Sequence, residues 1–274
     1  AKEWASRISQ PDRWKDYWLG ESTKYVAFIG KDNVVFHCIV FPAMLMAWND
    51  AGREQYVLPE NVPANEFLNF EGQKFSKSRG WGIDVQNFLN HFSADSLRYT
   101  LAINLPESRD SDFYLKDFQA RTNNELADIV GNFVNRTLAF TEKNFKGLVP
   151  VAGSLDARDK EMAMLIAGMP SRVGAFYEHY KFREAVIESM NLARAANKYF
   201  NDSEPWKTSK TNPERCATTL NMCLQVVRSL AILLEPVVPA MAQKVWSTLN
   251  LEGTPCSAGW ESAAQLALQP GHAL

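Results

Sequence analysis

The chain has 274 residues, of which 46% are hydrophobic and 12% are aromatic. Such a composition can build a large core and excludes a disordered protein. No uninterrupted apolar run reaches the ~18 residues that a membrane-spanning helix needs, so we expect no membrane partner. The formal net charge is −2, which means that a site for a polyanion has to arise from local clustering of basic side chains.

The first 50 residues predict a strand followed by a helix. The short apolar run KYVAFIG (24–30) ends in glycine and is typical of a strand. Asp32 and Asn33 belong to the residue types that favour an N-cap, and they are predicted to cap a helix over 34–48 that bends at Pro42.

The next segment predicts a second strand, a basic loop and two helices. NEFLNFEG (65–72) reads as the strand, and residues 83–104 carry the pattern of two short amphipathic helices. Strand, loop and helix in this order are typical of an α/β layer that binds nucleotides.

After residue 105 the apolar residues follow the helical period. The pattern predicts an antiparallel bundle of about five helices with a packing arm at 251–274. The predicted domains are therefore 1–105, mixed α/β, and 106–274, all-α. The predicted helices cover 115–145, 156–180, 182–200, 213–234 and 238–249.

The cysteines give no sign of a metal centre. Cys38, Cys216, Cys223 and Cys256 form no CxxC pair, and no histidine lies at zinc-ligand spacing from them. We expect reduced thiols, most of them buried, in a cytoplasmic protein.

The stretch EGQKFSKSRGWG (71–82) concentrates positive charge on a glycine-flanked loop. Lys74 and Lys77 can stabilise charge that develops on a departing diphosphate, while Ser76 and Ser78 can donate to its oxygens. The competing interpretation is an ordinary solvated turn. KFSKS resembles the KMSKS signature of class I aminoacyl-tRNA synthetases, with phenylalanine in place of methionine, and this resemblance implies a catalytic role for the loop.

A second resemblance covers FIGKDNVVFHCIVFPAML (28–45), which is similar to the corresponding stretch of methionyl-tRNA synthetases. Asp32 follows a predicted strand, where open α/β sheets bind ligands, and its carboxylate can accept ribose hydroxyls of ATP. The family resemblance implies that Phe36 and His37 contact methionine. The competing interpretation is a helix cap, a core phenylalanine and a structural histidine.

Two short motifs in the bundle carry side chains that suit RNA bases. In GNFVNR (131–136), Asn132 and Arg136 lie at i and i+4, and their planar donor groups suit base edges. In NDSEPWK (201–207), Pro205 is predicted to end a helix and to present Trp206 on a stiff backbone as a stacking platform. The resemblance implies that these four residues read the CAU anticodon; the competing interpretation is a polar surface pair and a tryptophan that closes the bundle.

The motifs occur in the order found in methionyl-tRNA synthetases, and the resemblance implies the C-terminal part of such an enzyme. Residues 1–105 would then be the α/β remnant of a Rossmann-like catalytic domain, and 106–274 the all-α anticodon-binding domain. The intact enzyme would activate methionine with ATP and Mg²⁺ and transfer it to tRNA(Met).

The sequence also departs from the family pattern. None of the four histidines stands in an HxGH motif, so we expect this polypeptide alone to be inactive. Zinc, and any homodimer contact, are expected only in parts that this sequence lacks. Two alternatives remain open, namely a non-catalytic tRNA-binding module and another class I aminoacyl-tRNA synthetase.

Overall fold

The computed structural model describes residues 1–20, 22–52 and 54–274. They form two compact units. The first unit comprises Ala1–Asn69 and Pro106–Ser111, and the second comprises Phe70–Leu105 and Asp112–Leu274. The domain boundary predicted at residues 105 and 106 stays a prediction.

The first unit is built from short helices and short strands. The helices are α1 (Lys2–Arg7), α2 (Lys15–Trp18) and α3 (Phe41–Asp50), and the strands are β1 (Tyr25–Val26), β2 (Ile29–Gly30), β3 (Pro59–Asn61) and β4 (Ala64–Asn65). Strand β1 pairs with β3 and β2 pairs with β4, both in parallel.

The strand predicted at 24–30 is present as two pieces. The amide of Ala27 donates to the carbonyl of Asn61, and the amide of Ile29 donates to that of Pro63. Because proline has no N–H to return a hydrogen bond, the ladder is interrupted opposite Pro63. A further two-stranded sheet pairs β5 (Leu68–Phe70) with β6 (Ser111–Phe113).

The predicted helix over 34–48 forms, but its start differs from the prediction. A 3₁₀ turn at Lys31–Asn33 leads to a π-helical segment at Phe36–Val40, which runs directly into α3. Asp32 lies inside the 3₁₀ turn, and neither segment has a side-chain cap hydrogen bond, so the predicted capping role of Asp32 is wrong. Pro42 cannot donate to a preceding carbonyl, and it follows the wider π turn instead of bending a regular helix.

The two helices predicted at 83–104 are confirmed as α4 (Val85–Leu89) and α5 (Ala94–Ile103). Asp84 caps the first by accepting a hydrogen bond from the Asn87 amide at 2.7 Å. Ser93 caps the second through the Ser96 amide at 3.1 Å.

The rest of the second unit is a helix bundle. Its helices are α6 (Leu115–Arg121), α7 (Asn132–Phe145), α8 (Ala157–Glu178), α9 (Phe182–Ser203), α10 (Pro205–Thr211), α11 (Pro213–Leu234) and α12 (Pro239–Thr248). The helix predicted at 115–145 consists of α6, a π-helical segment at Thr122–Gly131, and α7. The sequence analysis did not predict α10, which Pro205 starts just after the end of α9.

Helix α11 forms the centre of this bundle, and every residue from Cys216 to Leu234 is buried. Among the residues that the structure describes, α11 is the one helix long and apolar enough to cross a membrane, and that stretch is entirely buried within the fold. The burial gives α11 the role of a core helix in this fold.

The C-terminal residues pack along the bundle as the predicted arm. The side chain of Gln225 donates to the carbonyl of Leu268 at 2.8 Å and accepts from its amide at 3.0 Å. The indole of Trp260 donates to the carbonyl of Pro170 at 2.9 Å. These bonds pair polar groups that would otherwise be buried without partners.

The cysteines differ in part from the prediction. Cys216 and Cys223 are buried, whereas Cys38 and Cys256 are exposed, so the expectation that most are buried is wrong. Cys38 lies in the π turn, whose residues are all exposed or half-buried.

Candidate functional site

The segment with the KFSKS motif folds as a small hairpin with a closed base. Ser76 and Trp81 exchange two backbone hydrogen bonds of 2.9 Å. Lys77–Arg79 form a 3₁₀ turn, which ends at Gly80 with φ of 62°. Such a left-handed backbone favours glycine, which explains why this residue closes the turn.

The basic side chains of this hairpin face solvent. Lys74, Lys77 and Ser78 are exposed and Ser76 is half-buried. The hydroxyls of Ser76 and Ser78 lie 3.2 Å apart. Ammonium and hydroxyl groups are thus presented on one short exposed turn, where they can meet the oxygens of a diphosphate.

Phe75, the residue that departs from the family motif, anchors the hairpin. Its ring stacks on Phe70 with 6.0 Å between ring centroids, and the Trp81 indole donates to the Phe70 carbonyl at 3.0 Å. A Cβ atom on Gly82 would lie only 2.9 Å from the Phe75 ring. The aromatic contacts therefore fix the base while the cationic tip stays exposed.

The three helices that follow the hairpin in the sequence, α4, α5 and α6, line a cavity of about 860 Å³. Phe88, Phe92 and Phe118 form its aromatic part, with ring centroids 4.7 to 5.2 Å apart. Among the residues that the structure describes, the lining contains Asp84 but no lysine or arginine. Because a polyphosphate needs cationic partners, this cavity does not fit one.

In the first unit, Asp32 lies two residues after the end of β2 and is exposed. Its Oδ1 accepts a hydrogen bond from the side-chain Nδ2 of Asn33 at 3.3 Å. A Cβ atom on Gly30 would lie 2.7 Å from the same oxygen, so glycine leaves the space that the carboxylate occupies. The exposed carboxylate can accept hydrogen bonds from the hydroxyl groups of a ligand.

Phe36 and His37 begin the π-helical segment of the first unit. Their rings meet edge to face at 5.3 Å, and Phe36 stacks on Phe41 at 6.1 Å. The Nδ1 of His37 lies 3.1 Å from the Asn33 carbonyl. Since a carbonyl only accepts, this contact is a hydrogen bond when Nδ1 carries a proton.

The structure brings Arg136 and Trp206 together on the ring of Phe200. The guanidinium carbon of Arg136 lies 4.4 Å from the centroid of the Phe200 ring, and the Trp206 ring lies 6.3 Å from it at an angle of 38°. Arg136 also donates to Oδ1 of Asn201 at 2.7 Å. Two predicted site residues that are 70 positions apart therefore share one partner.

A sharp turn between α9 and α10 places Trp206. Glu204 adopts φ of 44° and ψ of 56°, a left-handed conformation that costs free energy for a residue with a side chain. Pro205 is buried at the start of α10, and its carbonyl accepts from the Cys216 thiol at 3.7 Å. Trp206 remains 38% exposed, so part of its side chain is accessible from solvent.

Asn132 is the first residue of α7 and is exposed, one turn before Arg136. Sequence reasoning did not select Phe200 and Asn201, which contact Arg136. The sequence placed Phe200 only among the apolar residues that follow the helical period in the helix predicted at 182–200. No sequence signal links Asn201 to Arg136, because the two residues are 65 positions apart and meet only through tertiary packing.

A buried ionic cluster includes Tyr199, which directly precedes Phe200 on α9. The carboxylate of Asp159 is fully buried and accepts hydrogen bonds from the Arg215 guanidinium and the Tyr199 hydroxyl. Burial alone would raise the pKa of Asp159, but the hydrogen bonds from Arg215 and Tyr199 outweigh it and lower the pKa. The hydrogen bond to Asp159 in turn raises the pKa of Arg215. This cluster ties α8, α9 and α11 together.

Two family models match the chain. The model described as tRNA synthetases class I (M) matches residues 1–138, and the model described as anticodon binding domain of methionyl tRNA ligase matches residues 149–274. The first covers half of the chain, and the class that the fold and the hairpin define is therefore the class I tRNA synthetases. Within that class, the chain belongs to the methionyl-tRNA synthetase family.

Curated relatives agree with this family. A methionine–tRNA ligase of Salinibacter ruber is 47% identical over 285 residues, which cover 99% of this chain and 39% of the relative. One of Phocaeicola vulgatus is 50% identical over 244 residues, which cover 88% of this chain and 35% of the relative. The chain thus spans about 40% of the length of the curated relatives it matches.

The solved structures show the same fold. Mycobacterium tuberculosis methionyl-tRNA synthetase in complex with methionyl-adenylate superimposes with a TM-score of 0.83 at 30% identity, covering 93% of this chain and 49% of that one. The predicted family and the predicted fold class, an α/β remnant of a catalytic domain followed by an all-α bundle, are confirmed. The alternative of another class I synthetase is excluded by the family matches.

Proposed function

We propose that this chain serves methionine–tRNA ligation, in which methionine is activated with ATP and transferred to tRNA(Met). The observation that carries the proposal is the closed hairpin with an exposed cationic tip in a chain of this family. A protein that only binds RNA has no need for such a tip. The proposal includes a cytoplasmic location, no membrane partner, and a homodimer only through a further C-terminal extension.

In this proposal Lys74, Ser76, Lys77 and Ser78 act on the leaving pyrophosphate. Negative charge grows on the leaving group as the mixed anhydride of methionine and AMP forms, so these side chains stabilise the transition state more than the ground state. Mg²⁺ enters with ATP as part of the substrate. The described residues contain no group of three or more His, Cys, Asp or Glu side chains that could hold a metal ion, so they do not fit zinc.

The first unit would supply the contacts to the small substrates. Asp32 is proposed to accept the ribose hydroxyls of ATP, which fits its exposed position after β2. Phe36 and His37 are proposed to contact methionine, with the aromatic ring against the thioether. The relative from Mycobacterium tuberculosis was solved with methionyl-adenylate, which supports this substrate class.

The second unit would read the anticodon. Asn132 and Arg136 are proposed to donate to base edges of CAU, and Trp206, held by Pro205, is proposed to stack on an unpaired base. Their support is the shared contact of Arg136 and Trp206 with Phe200.

Binding of anticodon stem-loops to this chain tests the proposed anticodon recognition. We expect the CAU stem-loop to bind at least about tenfold more tightly than otherwise identical stem-loops with a changed anticodon, because each lost base contact costs ~1–3 kcal/mol. Equal affinity for all stem-loops would remove Asn132, Arg136 and Trp206 from the reader role.

Methionine-dependent ATP–pyrophosphate exchange tests the catalytic half. We expect negligible exchange by this 274-residue polypeptide alone, because its sequence has no HxGH motif to hold the ATP phosphates. In a longer relative, Lys77→Ala should abolish exchange and spare tRNA binding. Loss of tRNA binding with intact exchange would instead make Lys77 an RNA-binding residue and remove it from the catalytic role.

A further inference from the structure

Phe200 lies at the centre of the proposed anticodon reader without being able to touch RNA. Its side chain is 0% exposed and lies near the end of α9. One contact is with the Arg136 guanidinium at 4.4 Å, and another is with the Trp206 ring at 6.3 Å. Phe140 meets the same ring edge to face at 5.6 Å.

These contacts join three different helices. Arg136 and Phe140 stand one turn apart on α7, Trp206 stands on α10, and Phe200 itself belongs to α9. A movement of the Phe200 ring would therefore change the positions of the Arg136 and Trp206 side chains together. Close packing makes such a shared contact transmit displacements instead of absorbing them.

The position of Arg136 is defined in two ways. Its guanidinium is attracted to the Phe200 ring by a cation–π interaction, which is stronger where the ring is withdrawn from water. The hydrogen bond to Asn201 at 2.7 Å fixes the direction of one N–H group. Arginine has five N–H donors, so others remain to meet a base.

We propose that Phe200 is a positioning residue that couples Arg136 to Trp206, so that the guanidinium and the indole engage neighbouring bases of the RNA as one unit. The proposal rests on the proposed anticodon-reading function. It assigns Phe200 no contact with RNA, and it makes the binding contributions of Arg136 and Trp206 depend on each other.

A double-mutant cycle on the whole 274-residue chain tests the coupling, with a CAU anticodon stem-loop as the probe. Arg136→Ala and Trp206→Ala are measured singly and together. We expect the double variant to lose less affinity than the product of the two single losses, by about fivefold, the scale of a partly desolvated cation–π contact. Additive losses in the otherwise unchanged chain would overturn the coupling.

The same cycle is then measured in a Phe200→Leu background, which keeps an apolar side chain but removes the aromatic face. We expect the losses to become additive within about twofold, since independent sites behave so. Phe140→Leu is the matched control, because it removes another ring from the same part of the core and leaves the contacts of Phe200 with Arg136 and Trp206 in place. The double-mutant cycle in this background should still show the coupling. Coupling that persists in Phe200→Leu would also overturn the proposal.

Circular dichroism and thermal unfolding check that each variant is folded at the binding temperature. Phe200→Met, which also lacks a ring, serves as the second variant where Phe200→Leu does not fold. Failure of the underlying function gives a different result: neither Arg136→Ala nor Trp206→Ala alone would then weaken CAU binding. If each single variant loses affinity but the two losses are additive, the proposed anticodon recognition is retained and only the role of Phe200 is rejected.

Discussion

The two units bury their apolar side chains to very different extents. In the second unit, α11 is buried from Cys216 to Leu234. In the first unit, α3 and the π turn before it contain no buried residue, and Met44 is 60% exposed. Because apolar burial is the dominant favourable term in folding, the second unit holds most of the stability.

This difference has a consequence for function. The proposed reader of RNA lies on a deep core, which can hold Arg136 and Trp206 in fixed positions. The proposed contacts to small substrates, Asp32, Phe36 and His37, lie on short elements with little burial. We therefore expect the first unit to open locally at lower free energy than the bundle.

The largest expected effect comes from the buried ionic cluster of the second unit. Arg215→Ala would leave the Asp159 carboxylate buried without its cationic partner, and we expect a loss of ~3–5 kcal/mol in the free energy of unfolding. Urea unfolding measures it. The control is Arg172→Ala, which breaks the half-exposed ion pair with Glu188 and should cost only ~0.2–1 kcal/mol. Equal losses would mean that the cluster contributes no more than a surface pair.

A substitution in each core compares the two units directly. Leu224→Ala removes a fully buried side chain of α11 and should cost ~2–5 kcal/mol. Met44→Ala in α3 should change the free energy of unfolding by less than ~0.5 kcal/mol. Urea unfolding followed by far-ultraviolet circular dichroism gives both values. A loss for Met44→Ala as large as that for Leu224→Ala would contradict the comparison.

The ionic cluster also gives a pH dependence with a defined sign. The pKa of Asp159 is lowered in the fold from its ordinary value of 3.8, so the carboxylate contributes stability above that pH, and this contribution is lost as the pH falls through the lowered pKa. Asp159→Asn should therefore cost most at neutral pH. The gap between the variant and the parent chain should narrow below about pH 4. A gap that widens in acid would reverse the assignment.

The sequence predicted the helices of the bundle well because their apolar period is long and regular. It missed α10 because Pro205 fits two roles, the stop after one helix and the first residue of the next. Only the left-handed turn at Glu204 decides between them, and that conformation is set by the packing of both helices.

The sequence selected the candidate residues, but it did not show which other side chains contact them. The family resemblance assigned Arg136 and Trp206 to one set of residues, but their common contact with Phe200 depends on how α7, α9 and α10 pack. Asp32 was selected as a candidate by its place after a predicted strand. Its local geometry was predicted wrongly, because the N-cap preference of aspartate says nothing about a 3₁₀ turn that starts one residue earlier.

Two glycine substitutions with small expected effects give the sharpest test of whether the units unfold separately. Gly168 lies inside α8, and nothing lies within 4 Å of a Cβ atom there, so Gly168→Ala should stabilise the bundle by ~0.5–1 kcal/mol. Gly52 has equal room but a φ of 74°, and Gly52→Ala should destabilise the first unit by ~1 kcal/mol. Hydrogen exchange read separately for α11 and for α3 distinguishes the two. If the units open independently, Gly168→Ala slows exchange in α11 alone and Gly52→Ala speeds it in α3 alone. A change at both helices from either variant would mean that the core of the bundle and the exposed helix of the first unit open as one cooperative body, whatever the difference in their burial.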